Sequence, residues 1–231
     1  MTSNPGDWPR AIVFDLDGTL IDSAPDIAHA LNAATAKRGL APFSLPEVKE
    51  MIGGGVPQLV DRALVARGFP RSELMALVHD FLALYRENLT TRTVIYDGAR
   101  ELLARLHGEG RRLGICTNKN HELTLAILDQ LDLAKYFGAV FGERDGKPRK
   151  PDPAPLLETV ATLGSTPQGA LMVGDSEADV ACARNAKLPV VAVTFGYSKV
   201  APEALGADAM IDALGDLPQC FNALKPRRKE A

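Results

Sequence analysis

Six short apolar runs set the limits on what this chain can fold into: AIVF (11–14), RLGIC (112–116), AVF (139–141), ALMV (170–173), VVAV (190–193) and AMI (209–211). They are aliphatic, largely β-branched and without polar alternation, the pattern of strands buried on both faces, as in a parallel sheet. From residue 97 onward they alternate with apolar residues at spacings of three and four: Leu102, Leu103 and Leu106; Leu123, Ile127, Leu128 and Leu131; Leu156, Leu157 and Val160. That alternation predicts an α/β fold, a Rossmann-like parallel sheet with helices on both faces. A typical domain has roughly 150 residues, so the 231 present here predict one domain carrying an insertion.

The insertion is legible too. About ninety residues separate the first two runs, far more than a βα crossover needs, and their periodicity is helical. Ser23 with Asp26, and Ser44 with Glu47, match the capping-box spacing that opens a helix, while Gly39, Gly53 and Gly68 stand where helices stop. A longer helix carries Leu74, Leu77, Val78, Phe81 and Tyr85 on one face. The expected division is a core of residues 1–20 and 92–231 with an α-helical cap over 21–91.

Charge and cysteine usage narrow the function classes. The formal net charge is −3. Lys225, Arg227, Arg228 and Lys229 with Glu230 carry +3 of it in the last seven positions, leaving the rest at −6. An acidic body argues against a nucleic-acid face, and the basic tail reads as a solvated terminus. No run approaches the roughly 18 apolar residues of a membrane span, and MTSNPGDWPR lacks the features of a signal peptide. Cys116, Cys182 and Cys220 show no metal-ligand or redox spacing, which fits a reducing compartment. A cytoplasmic protein with no membrane or nucleic-acid partner is expected. Cys116 reads as a buried small hydrophobe, His29, His79, His107 and His121 as surface or helix-end residues, and Trp8 as an edge-packing residue.

Ligands of open α/β sheets bind beyond the carboxyl ends of the strands, and here those ends are polar. Asp15, Asp17, Gly18 and Thr19 follow the first run; Thr117, Asn118 and Lys119 the second; a Gly-rich basic loop ending in Lys150 the third; Gly174 and Asp175 the fourth. Asp15 and Asp17, one residue apart on extended chain, are expected on one side of the strand end, where their repulsion calls for a cation. Oxygen ligands with no His or Cys favour Mg²⁺, with Asp175 as a third acid. Asp179 fits two roles equally, helix capping with Ser176 or support of the metal.

The order D-x-D-G-T-L, then Thr-Asn, then Lys before Pro, then G-D-x-x-x-D resembles the haloacid dehalogenase superfamily of phosphoryl-transfer enzymes over nearly the whole chain. The resemblance implies Asp15 as nucleophile, Asp17 as general acid/base and backbone-carbonyl metal ligand, and Thr117 as the hydroxyl holding the phosphoryl oxygens. It further implies Lys150 as the charge-neutralising ammonium, in preference to Lys119 or Lys147, and Asp175 as a ligand of Mg²⁺. Thr19 would position the acid/base, and backbone N–H groups at Gly18 and Asn118 would receive phosphoryl oxygens. An acid at position 17 favours phosphoester substrates over the halide and phosphonate chemistries of the superfamily.

Gly53 to Gly55 followed by VPQLVDRAL, TNK at 117–119 and RKPDPAPLL at 149–157 resemble phosphoglycolate phosphatases, with Gly54 placed to meet the substrate. Asp97 and the GERDGKP loop depart from that pattern. The expected activity is hydrolysis of a small phosphorylated metabolite, 2-phosphoglycolate first. Alternatives are a pyrophosphatase, a nucleotide or sugar-phosphate phosphatase or a phosphomutase on the same core, and, from another class, a phosphorylatable signalling receiver, in which a cap of this size has no role.

Overall fold

A computed structural model describes residues 8–225; most of the basic tail, from position 226 onward, lies outside the described residues. The chain enters through β1 (Ala11–Phe14), passes a short β2 (Ile21–Asp22), and then builds helices α1 (Ala24–Ala36), α2 (Leu45–Met51), α3 (Val56–Ala66) and α4 (Leu74–Glu87). It returns through β3 (Val94–Ile95), which pairs antiparallel with β2. Then follow α5 (Ala99–Gly108), β4 (Arg112–Asn120), α6 (His121–Gln130), β5 (Phe137–Glu143), α7 (Ala154–Thr162), β6 (Ala170–Gly174), α8 (Glu177–Asn185), β7 (Val190–Val193), β8 (Ala209–Ile211) and α9 (Leu217–Leu224).

The six apolar runs become one parallel sheet of order β5-β4-β1-β6-β7-β8. Its residues alternate between two apolar layers, as the period of a strand requires. Ile12, Phe14, Ile115 and Val173 pack with the layer that contains α5, α6 and the inserted helices α1 to α4, whereas Val13, Cys116 and Met172 pack with α7 and α8. The chain winds outward from β1 in both directions, and at such a reversal the connections diverge and leave a crevice. Register sharpens the point: Phe14 lies opposite both Ile115 and Val173, so the polar residues that follow β1, β4 and β6 emerge side by side.

Two local expectations changed. β4 runs on to Asn120, with an irregularity in its pairing after Cys116, so Thr117, Asn118 and Lys119 belong to the strand rather than following it. Ser23 and Asp26 form no capping box. The Ser23 hydroxyl donates instead to Asp17 Oδ1 at 2.5 Å. Asp26, fully buried, accepts from the backbone N–H of Arg92 (2.8 Å) and Thr93 (2.7 Å) and from the Thr93 hydroxyl (2.8 Å). Partners distant in sequence outcompeted the local cap, and Asp26 ties the exit of the helical segment to its entry. At Ser44 and Glu47 the expected capping box does form, and Trp8 packs edge-on against Phe221.

Candidate active site

The site begins where β1 ends. Asp15 is 8% exposed, with Oδ1 3.0 Å from Lys150 Nζ. Lys150 Nζ also donates to Asp179 Oδ1 at 2.5 Å. Asn118 holds Lys150 in place: its amide accepts from the Lys150 N–H and donates to the Lys150 carbonyl, both at 2.9 Å. Lys147 lies exposed on the preceding loop, so of the three lysines weighed from sequence it is Lys150 that meets Asp15.

Asp175 follows β6. Its Oδ2 accepts from the backbone N–H of Tyr197 at 2.6 Å and its Oδ1 from the Thr19 hydroxyl at 3.1 Å. Gly18 and Gly196 press on it from either side; a Cβ on Gly18 would lie 2.4 Å from Asp175 Oδ2, and one on Gly196 2.2 Å from Asp175 Cβ. Asp179 takes the capping role and also reaches Lys150. Its Oδ2 accepts from the Ser176 N–H and hydroxyl at the start of α8, while its Oδ1 receives Lys150.

Ligand oxygens of Asp15, Asp175 and Asp179 lie within 4.8 Å of one another, all buried. One ammonium therefore faces three carboxylates in a site shielded from water. Burial, with Asp179 adding repulsion, pushes the Asp15 carboxyl up to about 6 against the pull of Lys150. Burial, then Asp179 and Asp15, also drive Asp175 upward. Asp15 Oδ1 has no hydrogen-bond donor aligned on it despite its burial. A cluster of hard oxygen ligands, short of positive charge and without His or Cys, fits a divalent cation of the Mg²⁺ type.

Asp17 does not join that cluster through its side chain. Its carboxylate turns toward the helical segment, where Ser23 and Lys119 hold it; Lys119 Nζ lies 3.2 and 3.1 Å from its two oxygens and 2.9 Å from the Tyr85 hydroxyl of α4. Burial draws the Lys119 ammonium down, but Asp17 and Tyr85 outweigh it and hold it above its ordinary value. Thr117 is buried, its hydroxyl accepts from the Lys119 N–H at 3.3 Å, and it draws the Asp15 carboxyl downward against the effect of burial.

Asp15, Asp17, Thr117, Lys119, Lys150 and Asp175, with the glycines at 53–55 and the apolar side chains of Ile52, Val56, Leu59 and Phe81, line a cavity of ≈110 Å³ between sheet and helical segment. The three glycines all adopt positive φ. Gly54 lends its carbonyl to Arg149, which also pairs with Glu143 at 2.8 Å. Sequence reasoning missed Tyr85, read as core, and Tyr197, at a strand end that was passed over. A signal existed for Tyr85: a phenol on an apolar helix face needs a partner for its hydroxyl. None existed for Tyr197, which acts through its backbone. Cys116 is buried as expected, with its thiol raised well above its ordinary value by Cys182 and by burial.

The geometry can place a nucleophilic carboxylate, an ammonium, a hydroxyl and a second carboxylate around one small anion. Comparison with known proteins agrees in kind. A phosphoglycolate phosphatase of Rhodospirillum rubrum is 42% identical over 217 residues, covering 90% of each chain. One from Caulobacter vibrioides is 39% identical, covering 92% of this chain and 91% of its own. Among solved structures, a predicted phosphoglycolate phosphatase from Haemophilus somnus superposes with a TM-score of 0.84 at 30% identity, over 91% of this chain and 96% of that one. A haloacid dehalogenase-like family hydrolase of Streptococcus pneumoniae shares the fold at a TM-score of 0.82 and 20% identity, over 92% of this chain and 98% of that one. The haloacid dehalogenase-like hydrolase family matches residues 12–193, a span that holds every residue of the cluster, and the chain belongs to that family.

Proposed function

We propose that this protein is a divalent-metal-dependent phosphatase that hydrolyses a small phosphomonoester through an aspartyl-phosphate, with 2-phosphoglycolate as substrate. The observation that carries the reading is the buried contact of Asp15 with Lys150, set beside Asp175 and Asp179 at a cavity of ≈110 Å³. The names of the relatives, phosphoglycolate phosphatases at about 40% identity, support the choice of substrate.

A phosphomonoester is dianionic, and a carboxylate attacks it only where positive charge offsets the repulsion. Lys150 supplies one such charge to Asp15 directly. Asp15, Asp175 and Asp179 would hold Mg²⁺, with Asp17 contributing its backbone carbonyl as the resemblance implies. The bound ion supplies the remaining charge neutralisation.

Asp15 attacks phosphorus while Thr117 and the backbone around Gly18 and Asn118 receive the phosphoryl oxygens. Asp17 gives its proton to the departing alkoxide and later takes one from the water that cleaves the aspartyl-phosphate. Ser23 and Lys119 hold its carboxyl at the wall of the cavity, toward the helical segment.

The test is phosphate release with Mg²⁺ across a panel of 2-phosphoglycolate, pyrophosphate, nucleotides and hexose phosphates, with Asp15→Asn as control. The expected result is a clear preference for 2-phosphoglycolate and no turnover by Asp15→Asn, whose amide is a poor nucleophile of the same shape. Full activity in that variant would overturn the mechanism, and preference for another member of the panel would overturn the substrate.

A further inference from the structure

We propose that Lys119 is the specificity-determining cation of the site: it receives the carboxylate of a phosphorylated hydroxy acid, and Tyr85 of α4 aims it. The proposal deepens the phosphatase reading above and rests on it. Among the described residues lining the cavity, Lys150 and Lys119 are the cations. Lys150 is held between two carboxylates, Asp15 and Asp179, at the phosphoryl end, whereas Lys119 faces a single carboxylate, Asp17. A substrate with a second anionic group has Lys119 as its remaining charged destination, because the surrounding wall of Ile27, Ile52, Val56, Leu59 and Phe81 is apolar. Such a wall lowers the local dielectric and strengthens a charge pair made against it.

The placement fits the length of the molecule. Thr117 and Lys119 both lie on β4 and both line the cavity, two residues apart and so separated by roughly 6 to 7 Å of extended chain. With Thr117 beside Asp15 at the phosphoryl end, Lys119 stands about one short carbon acid away. Its side chain is 6% exposed. Its three donors go to the two Asp17 oxygens and the Tyr85 hydroxyl; the contacts with Asp17, at 3.1 and 3.2 Å, are longer than the roughly 2.7 to 2.9 Å of a tight charge-assisted bond, so a substrate carboxylate would displace one Asp17 oxygen from the ammonium. The Tyr85 hydroxyl fixes its direction at 2.9 Å, and the Tyr85 ring is itself stacked on Phe81 at 5.5 Å between centroids. Recognition of the carboxylate would thus be shared between a sheet residue and a helix of the inserted segment, so that only the closed arrangement reads it.

The test measures kcat/KM for 2-phosphoglycolate, ethyl phosphate and pyrophosphate with the unaltered protein, Lys119→Met and Tyr85→Phe. Ethyl phosphate lacks the carboxylate, so its loss in Lys119→Met reports disturbance of Asp17 alone. The expected result is a further loss of about 10²-fold for 2-phosphoglycolate beyond that common loss, the size expected for removing one partner of a buried charge pair. Tyr85→Phe, which removes a single oxygen, should move the same ratio several-fold in the same direction, mainly through KM. Should Lys119→Met not fold, Lys119→Gln and Tyr85→Phe decide.

Retention of the carboxylate preference in the folded variants would overturn the role of Lys119 and leave the phosphatase reading intact. Selective collapse of pyrophosphate hydrolysis would assign Lys119 to a second phosphate and overturn its assignment to a carboxylate. If the unaltered protein hydrolyses ethyl phosphate as well as 2-phosphoglycolate, the substrate assignment and this inference fall together; if it hydrolyses none of the three, the phosphatase reading falls with them.

Discussion

The packing of Asp175 between two glycines gives a test that needs no substrate. Gly18 sits at φ +83° with its missing Cβ 2.4 Å from Asp175 Oδ2, against 3.4 Å or more for ordinary contact. Gly18→Ala therefore forces the carboxylate back by about 1 Å and lengthens its bonds from Tyr197 N–H and the Thr19 hydroxyl. A left-handed backbone costs a residue with a Cβ roughly 1 to 2 kcal/mol, and a weakened hydrogen bond to a charged group about 1.5 to 3 kcal/mol. For a protein of this size each kcal/mol lowers the melting temperature by about 2 to 4 °C, so the variant should melt some 5 to 20 °C lower.

Two controls separate the causes. Gly39 has φ +70° and nothing within 4 Å of a built Cβ; Gly39→Ala should show the backbone cost alone. At Gly196 no positive φ enters, yet a Cβ would meet Asp175 at 2.2 Å; Gly196→Ala should show the contact cost alone. Thermal unfolding followed by circular dichroism reads all three. If Gly18→Ala melts with Gly39→Ala, or Gly196→Ala leaves the transition unmoved, the glycines do not hold Asp175 and the reasoning fails.

Asp26→Ala strips a buried acceptor from three donors on Arg92 and Thr93, a change expected to cost about 3 to 5 kcal/mol; an unfolding midpoint in urea unchanged from the parent would contradict the tether. Glu47 is held down to about 2 from 4.5 by the Ser44 backbone N–H, then the Ser44 hydroxyl and Arg67. Its contribution is complete above pH 4.5 and disappears as the pH falls through about 2. Glu47→Gln should accordingly melt below the parent at pH 7 and converge with it near pH 2; a gap constant across that range would refute the assignment.

All six strands of the sheet were legible as apolar runs, because burial on both faces leaves a local trace that neighbours in sequence reveal. Asp15, Thr117, Lys150 and Asp175 were legible for a related reason: a parallel sheet delivers the residues after its strands to one edge, so strand position in the sequence already encodes proximity. The sequence by itself also determined the helical character of the inserted segment and the capping box at Ser44.

Tertiary structure alone decided which charges meet. Asp17 and Lys119 are 102 positions apart, and nothing in local pattern says that Asp17 turns from Asp15 to Ser23 and Lys119, or that Asp26 abandons a helix cap for Thr93. Those choices follow from burial. A charged group taken out of water takes whichever partner the completed fold brings within reach, and that partner exists only once the chain has closed around it.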